Sequence, residues 1–409
     1  MRRSRRAWTH PLAGFLTTWL VAAGLSHSNV DIRPQVEIAG LAVLWLWPAL
    51  GFVLARRLGS ATSGWVVNSI LCVLVVGATG AALMARWPRA APAAIAPALQ
   101  PPTGTATPIW LDTDPACGWK DTSDVDDCWA VALAARSPEL QLVGISTVFG
   151  NEGPSTTQRA ELVRTLLRAA GREAPVFPGS EAPADGRWQP TIASEALADA
   201  LLRTRLSIVA QGPATNVATL LRRHPERARR IDHIILVGGK APGRLFHPGR
   251  HWWFHFGDFN VSHDVASVQA ILDSGVPVTL VPFDLAITLT ITAGDLELLR
   301  RGDPLAAWLA ERSEGWLAFW RGKLMDSDGF SPFDALAVGQ AAWPDLFACR
   351  PARARVGFSV FLAPFGLGRD LEVRRDEGAP VRYCDALQPR VKSLLLQRLR
   401  GTAQRGATP

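Results

Sequence analysis

The chain has 409 residues, enough for one large domain with accessory segments, and its 48% hydrophobic content excludes a disordered polymer. Its formal net charge of +7 arises within residues 1–100, where nine arginines face only Asp31 and Glu37; beyond residue 100 the charges balance. A basic excess confined to one end gives no support to nucleic-acid binding, and no nucleic-acid partner is expected.

The first 86 residues hold three apolar runs, of which "VEIAGLAVLWLWPALGFVLA" and "WVVNSILCVLVVGATGAALM" each have the roughly 20 residues a spanning helix needs. The earlier run "PLAGFLTTWLVAAGL" reads as a third span or as a signal-like segment behind the basic "MRRSRR". Residues 1–86 are therefore expected to form a membrane anchor of two or three transmembrane helices. With "MRRSRR" and Arg56-Arg57 on the cytoplasmic side, the remainder is expected outside the cytoplasm, so the chain is placed in the inner or plasma membrane. Residues 87–108, rich in Pro and Ala, read as an extended linker, and residues 109–409 as the functional domain.

From Ile109 onward, apolar runs alternate with helical patterns. "PIWLD", "LQLVGISTV", "LSIVA", "HIILVGG" and "VPVTLVPFD" read as strands, with "DDCWAVALAARS", "STTQRAELVRTLLRAAG", "ATNVATLLRRHPE" and "DVASVQAILDSG" as the helices between them. Near-continuous apolar strands in βα alternation predict an α/β fold with a mostly parallel, Rossmann-like central sheet flanked by helices. Two helices, "PLAAWLAERSEGWLAFWRGKL" and "PFDALAVGQAAW", follow. The strands "RVGFSVFLA", "RDLEVRR" and "PVRYC" and the helix "ALQPRVKSLLLQRLR" then close the chain.

Outside the apolar N-terminal runs there are four cysteines. Cys117 with Cys128 and Cys349 with Cys384 are the natural pairs in an exported domain, four free thiols being the alternative. No CxxC occurs, which argues against a zinc knuckle or a thioredoxin-like site.

Ligand sites in parallel sheets gather at the carboxyl ends of the strands, and here those ends are acidic or amidic. Asp112 and Asp114 end the first strand, and Asp126-Asp127 open the next helix. Asn151 follows the second strand, "QGPATN" the third, Asp258 and Asn260 the fourth, and Asp334 begins a later helix. Six aspartates within Ile109–Ala135 repel one another unless something positive lies among them. Hard oxygen donors of this kind suit Ca²⁺ or Mg²⁺ far better than zinc. Two other residues have local readings: Asn216 as a turn-fixing residue and Asp264 as a helix cap.

The ordered set "DTDP", "DDCWAVALA", "ISTVFGN", "QGPATNVATLLRRHPE", "ILVGGK", "DFNVSHDVASVQAIL", "VTLVPFDLA" and "FDALAVGQAAWPDLF" resembles the inosine-uridine preferring nucleoside hydrolase family. The resemblance runs from Ile109 to the C-terminus and implies a nucleoside hydrolase-like fold. It implies Ca²⁺, or Mg²⁺, held by Asp114, Asp127, the Gln211 carbonyl and Asp334. It places ribose hydroxyls on Asp126, Asn151, Asp258 and Asn260, and makes Asp114 the base that activates water. The partner so implied is a small-molecule nucleoside; a homo-oligomer is left open.

Three departures stand against that pattern. The family's two-residue link between Pro115 and Asp126 is replaced by "ACGWKDTSDV", which brings Asp121 and Asp124 within reach of the cation. Its usual Glu is Asp258. Its histidine before the last metal aspartate is Phe333, as in purine-specific members, where an aromatic ring there stacks on the base, so purine nucleosides are favoured. His247, His251 and His255 offer alternative acids, and Trp252-Trp253 an alternative pocket wall. Two further readings compete: a membrane-tethered, non-catalytic nucleoside-binding protein, suggested by the missing histidine, and a haloacid dehalogenase-type phosphatase, suggested by "WLDTDPA".

Overall fold

The structure, a computed structural model, describes residues 106–241, 257–324, 327–358, 369–374 and 377–401. The strands are β1 (Thr107–Thr113), β2 (Leu140–Thr147), β3 (Val176–Pro178), β4 (Leu206–Ala210), β5 (Ile231–Val237), β6 (Val278–Val281), the short β7 (Ile291–Thr292) and β8 (Gly329–Phe330), β9 (Phe347–Phe358), β10 (Arg369–Arg374) and β11 (Ala379–Leu387). The helices used below are α1 (Asp126–Arg136), α2 (Thr156–Ala169), α3 (Ile192–Arg203), α4 (Thr215–Arg223), α5 (Phe259–His263), α6 (Val265–Asp273), α7 (Pro304–Phe319), α8 (Phe333–Ala342) and α9 (Arg390–Arg400).

Nine strands form one sheet in the order β10-β9-β11-β6-β5-β4-β1-β2-β3. From β11 to β3 every neighbouring pair is parallel, and only β9 runs antiparallel to β11 and β10. The expected mostly parallel α/β fold is therefore present. Its strands read as apolar runs because both faces are covered: all five residues of β4 are buried, and so are the last four of β5. One core layer packs α1, α8 and α9 against the sheet through residues such as Trp129, Leu133, Leu336 and Leu395; the other gathers Trp110, Leu201, Val217 and Ile271.

Chain order reverses between β1 and β4. Strands added after β1 on one side are β2 and β3, and on the other β4, β5 and β6. That switch point opens a crevice at the carboxyl ends of β1 and β4, where loops diverge to opposite faces of the sheet.

The expected membrane location is corrected here. Among the described residues no helix is long and apolar enough to cross a membrane. Helix α7, at 16 residues, is shorter than a bilayer span and carries Glu311, Arg312 and Glu314. The apolar runs behind that expectation, and most of the expected linker, lie in residues 1–105, outside the described residues, while the last two linker residues, Thr107 and Pro108, already belong to β1.

Both cysteine pairs are disulfide bonds, Cys117–Cys128 and Cys349–Cys384. The second joins register partners of β9 and β11.

Candidate active site

Each strand that ends at the crevice delivers a polar group. β1 ends in Asp112 and Thr113, followed at once by Asp114, and all three side chains are buried. Helix α1 follows with Asp126 and Asp127 in its first turn, where the positive end of the helix dipole favours carboxylates. Asp334 occupies the same place at the start of α8. Carboxylate oxygens of Asp126, Asp127 and Asp334 lie within 4.8 Å of one another, a span that one Ca²⁺ bridges at its usual oxygen distances of about 2.3–2.6 Å. The resemblance had grouped Asp114 with Asp127 and Asp334; here Asp126 completes the close triad and Asp114 adjoins it.

Asp114 is tied to that triad through Asp127. Its backbone N–H donates to Asp127 Oδ1 at 3.0 Å, and the Thr113 hydroxyl donates to the same oxygen at 2.5 Å. Its own Oδ2 accepts the Asn151 backbone N–H at 2.6 Å, while Asn151 Nδ2 donates to Asp127 Oδ2 at 3.1 Å. Two glycines wall the Asp114 carboxylate. A Cβ at Gly150 would lie 2.1 Å from Oδ2 and one at Gly212 2.5 Å from Oδ1, so neither position admits a side chain without moving Asp114.

Gln211 continues β4 and is anchored by its whole length. Its N–H donates to the Asp112 carbonyl at 2.8 Å and its Nε2 to the Asp334 carbonyl at 2.7 Å, while its own carbonyl accepts Asn260 Nδ2 at 2.6 Å. A carbonyl has two lone pairs, so one remains. Asp258 caps α5, accepting from Val261 N–H at 3.2 Å and from Gly239 N–H at 2.8 Å. Asn260, within α5, thus faces the β4 end while Asp258 holds the β5 end. Phe333, half-buried beside Asp334, lies nearly parallel to Phe283 at 6.1 Å between ring centres, with Trp320 tilted at 6.2 Å. Asp121 is exposed; Asp124, half-buried, accepts the Asp126 N–H at 3.1 Å. His247, His251, His255 and Trp252-Trp253 lie outside the described residues.

Electrostatically the crevice calls for a cation. Burial, then the charges of Asp126, Asp127 and Asp114, raises the Asp334 pKa well above the usual carboxylate range. Burial and the Asp127 charge do the same to Asp114, against a downward pull from the Asn151 N–H and Arg159. Asp126 is raised by burial and by Asp124, and Asp127 is pushed up to about 6, chiefly by burial. A set of buried carboxylates this close, supplied entirely by hard oxygens, fits Ca²⁺ or Mg²⁺.

Three residues outside the expected ligand and substrate set hold this arrangement: Arg159, which the sequence reading did not single out, Asn216, expected only to fix a turn, and Asp112, expected only as a strand-end carboxylate. The buried Arg159 of α2 donates to the carbonyls of Asp114, Pro115, Asn151 and Pro154, clamping the loops after β1 and β2 together. Asn216 donates to Asp112 Oδ1 at 2.8 Å and to the Thr147 carbonyl at 3.1 Å, and accepts the Ser180 N–H at 3.0 Å, so it ties the ends of β1 and β2 to the loop after β3 rather than fixing one turn. Asp112, bonded also by the Ser146 hydroxyl at 2.6 Å, anchors β1 to β2; burial raises its pKa to about 6. Asp264 caps α6 as expected, through the Ser267 N–H at 3.1 Å, and also accepts the Thr215 hydroxyl at 2.6 Å.

Comparison with known proteins gives this crevice a context. The profile of the family described as inosine-uridine preferring nucleoside hydrolase matches residues 109–364. The pyrimidine-specific ribonucleoside hydrolase RihA of Enterobacter sp. (strain 638) is 28% identical over 269 residues, covering 59% of this chain and 81% of that protein. RihA of Citrobacter koseri is 29% identical over the same shares. Among solved structures, a plant nucleoside hydrolase superposes with a TM-score of 0.60 at 24% identity, covering 72% of this chain and 99% of that one. A purine-preferring ribonucleoside hydrolase from Gardnerella vaginalis superposes equally well, at 0.60 and 20% identity, over 72% and 98%.

Proposed function

Because this chain belongs to the inosine-uridine preferring nucleoside hydrolase family and is a nucleoside N-ribohydrolase, we propose that it cleaves purine ribonucleosides to ribose and free base with Ca²⁺ at the aspartate crevice. The observation that carries the proposal is the buried triad of Asp126, Asp127 and Asp334 beside Asp114, at the switch point of the sheet.

In this reading Asp114, Asp127, Asp334 and the Gln211 carbonyl would hold the cation. When bound, a divalent cation lowers the pKa of a water and neutralises the carboxylates around it. Asp114 accepts the proton of the attacking water; its carboxylate is held by the Asn151 N–H and walled by Gly150 and Gly212, so its direction is set before substrate arrives. Asp126, Asn151, Asp258 and Asn260 hold ribose hydroxyls and orient the anomeric carbon toward that water. As the N-glycosidic bond breaks, positive charge develops on the sugar, and the same carboxylates stabilise it.

Base preference follows from Phe333. It cannot donate a proton to a departing base, so its own contribution is stacking, which a two-ring purine offers most, and the base takes its proton from another group or from solvent. Support for the reading is the aromatic group of Phe333, Phe283 and Trp320 immediately beside Asp334. The pyrimidine-specific relatives point the other way, so a substrate panel decides. Inosine, guanosine and adenosine are expected to be cleaved with higher kcat/KM than uridine and cytidine. Phe333→Ala is expected to lower purine turnover by about tenfold, the upper end of an aromatic stack. Preferential uridine cleavage, indifferent to Phe333→Ala, would remove the purine assignment while leaving the hydrolase reading intact.

A further inference from the structure

Ten residues, "ACGWKDTSDV", separate Pro115 from Asp126. A flexible loop of that length leaves the carboxylate after β1 free to drift from the carboxylates that open α1. Like charges favour that separation, and loop entropy adds to it. In the structure both ends of the loop are fixed. Cys117, three residues beyond Asp114, is disulfide-bonded to Cys128, which directly follows Asp127, and both sulfur-bearing residues are buried. The covalent ring so closed contains Asp121, Asp124, Asp126 and Asp127.

The ring is also seated against α7. A Cβ at Gly315 would lie 1.9 Å from the Asp121 carbonyl oxygen, so the loop backbone passes directly over that helix at a glycine. Gly118 faces the Arg312 side chain, where a Cβ would be 3.3 Å from its Cδ. Trp129, next after Cys128, donates its indole N–H to Ser313 at 3.0 Å. The loop therefore has a covalent clasp on the site side and a docking surface on the other.

We propose that the Cys117–Cys128 disulfide is the positioning element of the cation site: it holds Asp126 and Asp127 at the spacing from Asp114 and Asp334 that one divalent cation needs. This rests on the cation-binding reading of the crevice. With the bond in place, the ordering of the loop is settled during folding; without it, the same ordering is charged against cation binding. The other disulfide, Cys349–Cys384, joins β9 to β11, with β6, β5 and β4 between β11 and β1, and has no part in the crevice.

The test uses the full chain carrying Cys349→Ser and Cys384→Ser, so that a dithiol reductant acts on one disulfide alone. Ca²⁺ binding is measured by calorimetry before reduction, after it, and after reoxidation, with near-ultraviolet circular dichroism recording that the fold persists. Reduction is expected to raise the Ca²⁺ Kd by about 10- to 100-fold, the range for outer supports of metal ligands, and reoxidation to restore it. Excess Ca²⁺ is expected to recover the kcat of the reduced protein. Cys117→Ser with Cys128→Ser is expected to show the same weakening without reductant. An unchanged Kd after reduction, with only the melting temperature lowered, would overturn the inference alone. Absence of Ca²⁺ binding in the oxidised protein would overturn both the inference and the cation reading beneath it.

Discussion

Asp114→Asn is expected to lower kcat by about 10²- to 10⁴-fold, the usual contribution of a general base, while the protein stays folded. The amide matches the carboxylate in size and fills the space between Gly150 and Gly212, but it accepts no proton from water at neutral pH. Contacts on either side of it survive: the Asp114 N–H to Asp127 and the Arg159 clamp on the Asp114 carbonyl both use backbone atoms. Stopped turnover in a folded protein that still binds nucleoside is the signature of the assigned role. Turnover close to wild type would transfer the base to another group.

The second large effect is a reversal of how stability responds to pH. In the cation-free protein, Asp112 and Asp127 have pKa values raised from 3.8 to about 6, and burial with neighbouring carboxylates holds Asp114, Asp126 and Asp334 well above the usual carboxylate range. Between the unfolded and folded pKa values the native state holds protons that the unfolded chain has released. Stability therefore falls as pH rises through that window, from about 4 to about 6 for Asp112 and Asp127. The contribution is fully present below the unfolded pKa and lost above the folded one. Ca²⁺ binds the ionised carboxylates, so its stabilisation grows with pH and opposes this slope. In chelator the melting temperature is expected to drop from pH 5 to pH 8, and with saturating Ca²⁺ the drop is expected to shrink or invert. Asp334→Asn removes the charge that faces Asp126, Asp127 and Asp114. It is expected to stabilise the chelated protein at neutral pH and to abolish the gain from Ca²⁺. Identical melting curves for both proteins with and without Ca²⁺ would contradict the account.

How much of this was legible in the sequence differs by element. Parallel strands buried on both faces announce themselves as apolar runs, and β1, β2, β4, β5 and β6 all read correctly. Helix α3 did not, because "TIASEALADA" follows a stretch rich in Pro, Gly and Asp and resembles its continuation. The signal was present in Thr191 and Ser194, which form a reciprocal capping pair. Strand β9 begins at Phe347 rather than Arg355, since Arg350, Pro351 and Arg353 interrupt the apolar pattern at the antiparallel margin of the sheet. Strand β3 has only three residues and leaves no periodicity to detect.

The candidate site follows the same division. Its carboxylates stand at strand ends and helix starts, positions that local pattern marks, and Asp126, Asp127 and Asp334 are brought together as an acidic crevice requires. The supports were not visible. Arg159 sits in "TTQRAELVR", where an arginine on a polar helix face looks solvent-exposed; only the fold turns it toward the Asp114 and Asn151 carbonyls. Asn216 looked like a turn residue because its partners, Asp112, Thr147 and Ser180, are distant in sequence. The apolar N-terminal runs carried the expectation of a membrane location, which no helix among the described residues sustains.

Ribose release from inosine by the purified full chain, followed through chelation and re-addition of Ca²⁺, tests the central claim most directly. Activity lost on chelation, restored by Ca²⁺ and absent from Asp114→Asn at any Ca²⁺ concentration is the predicted result. Undiminished ribose release after complete removal of divalent cations, from a protein whose Asp126, Asp127 and Asp334 are intact, would contradict it.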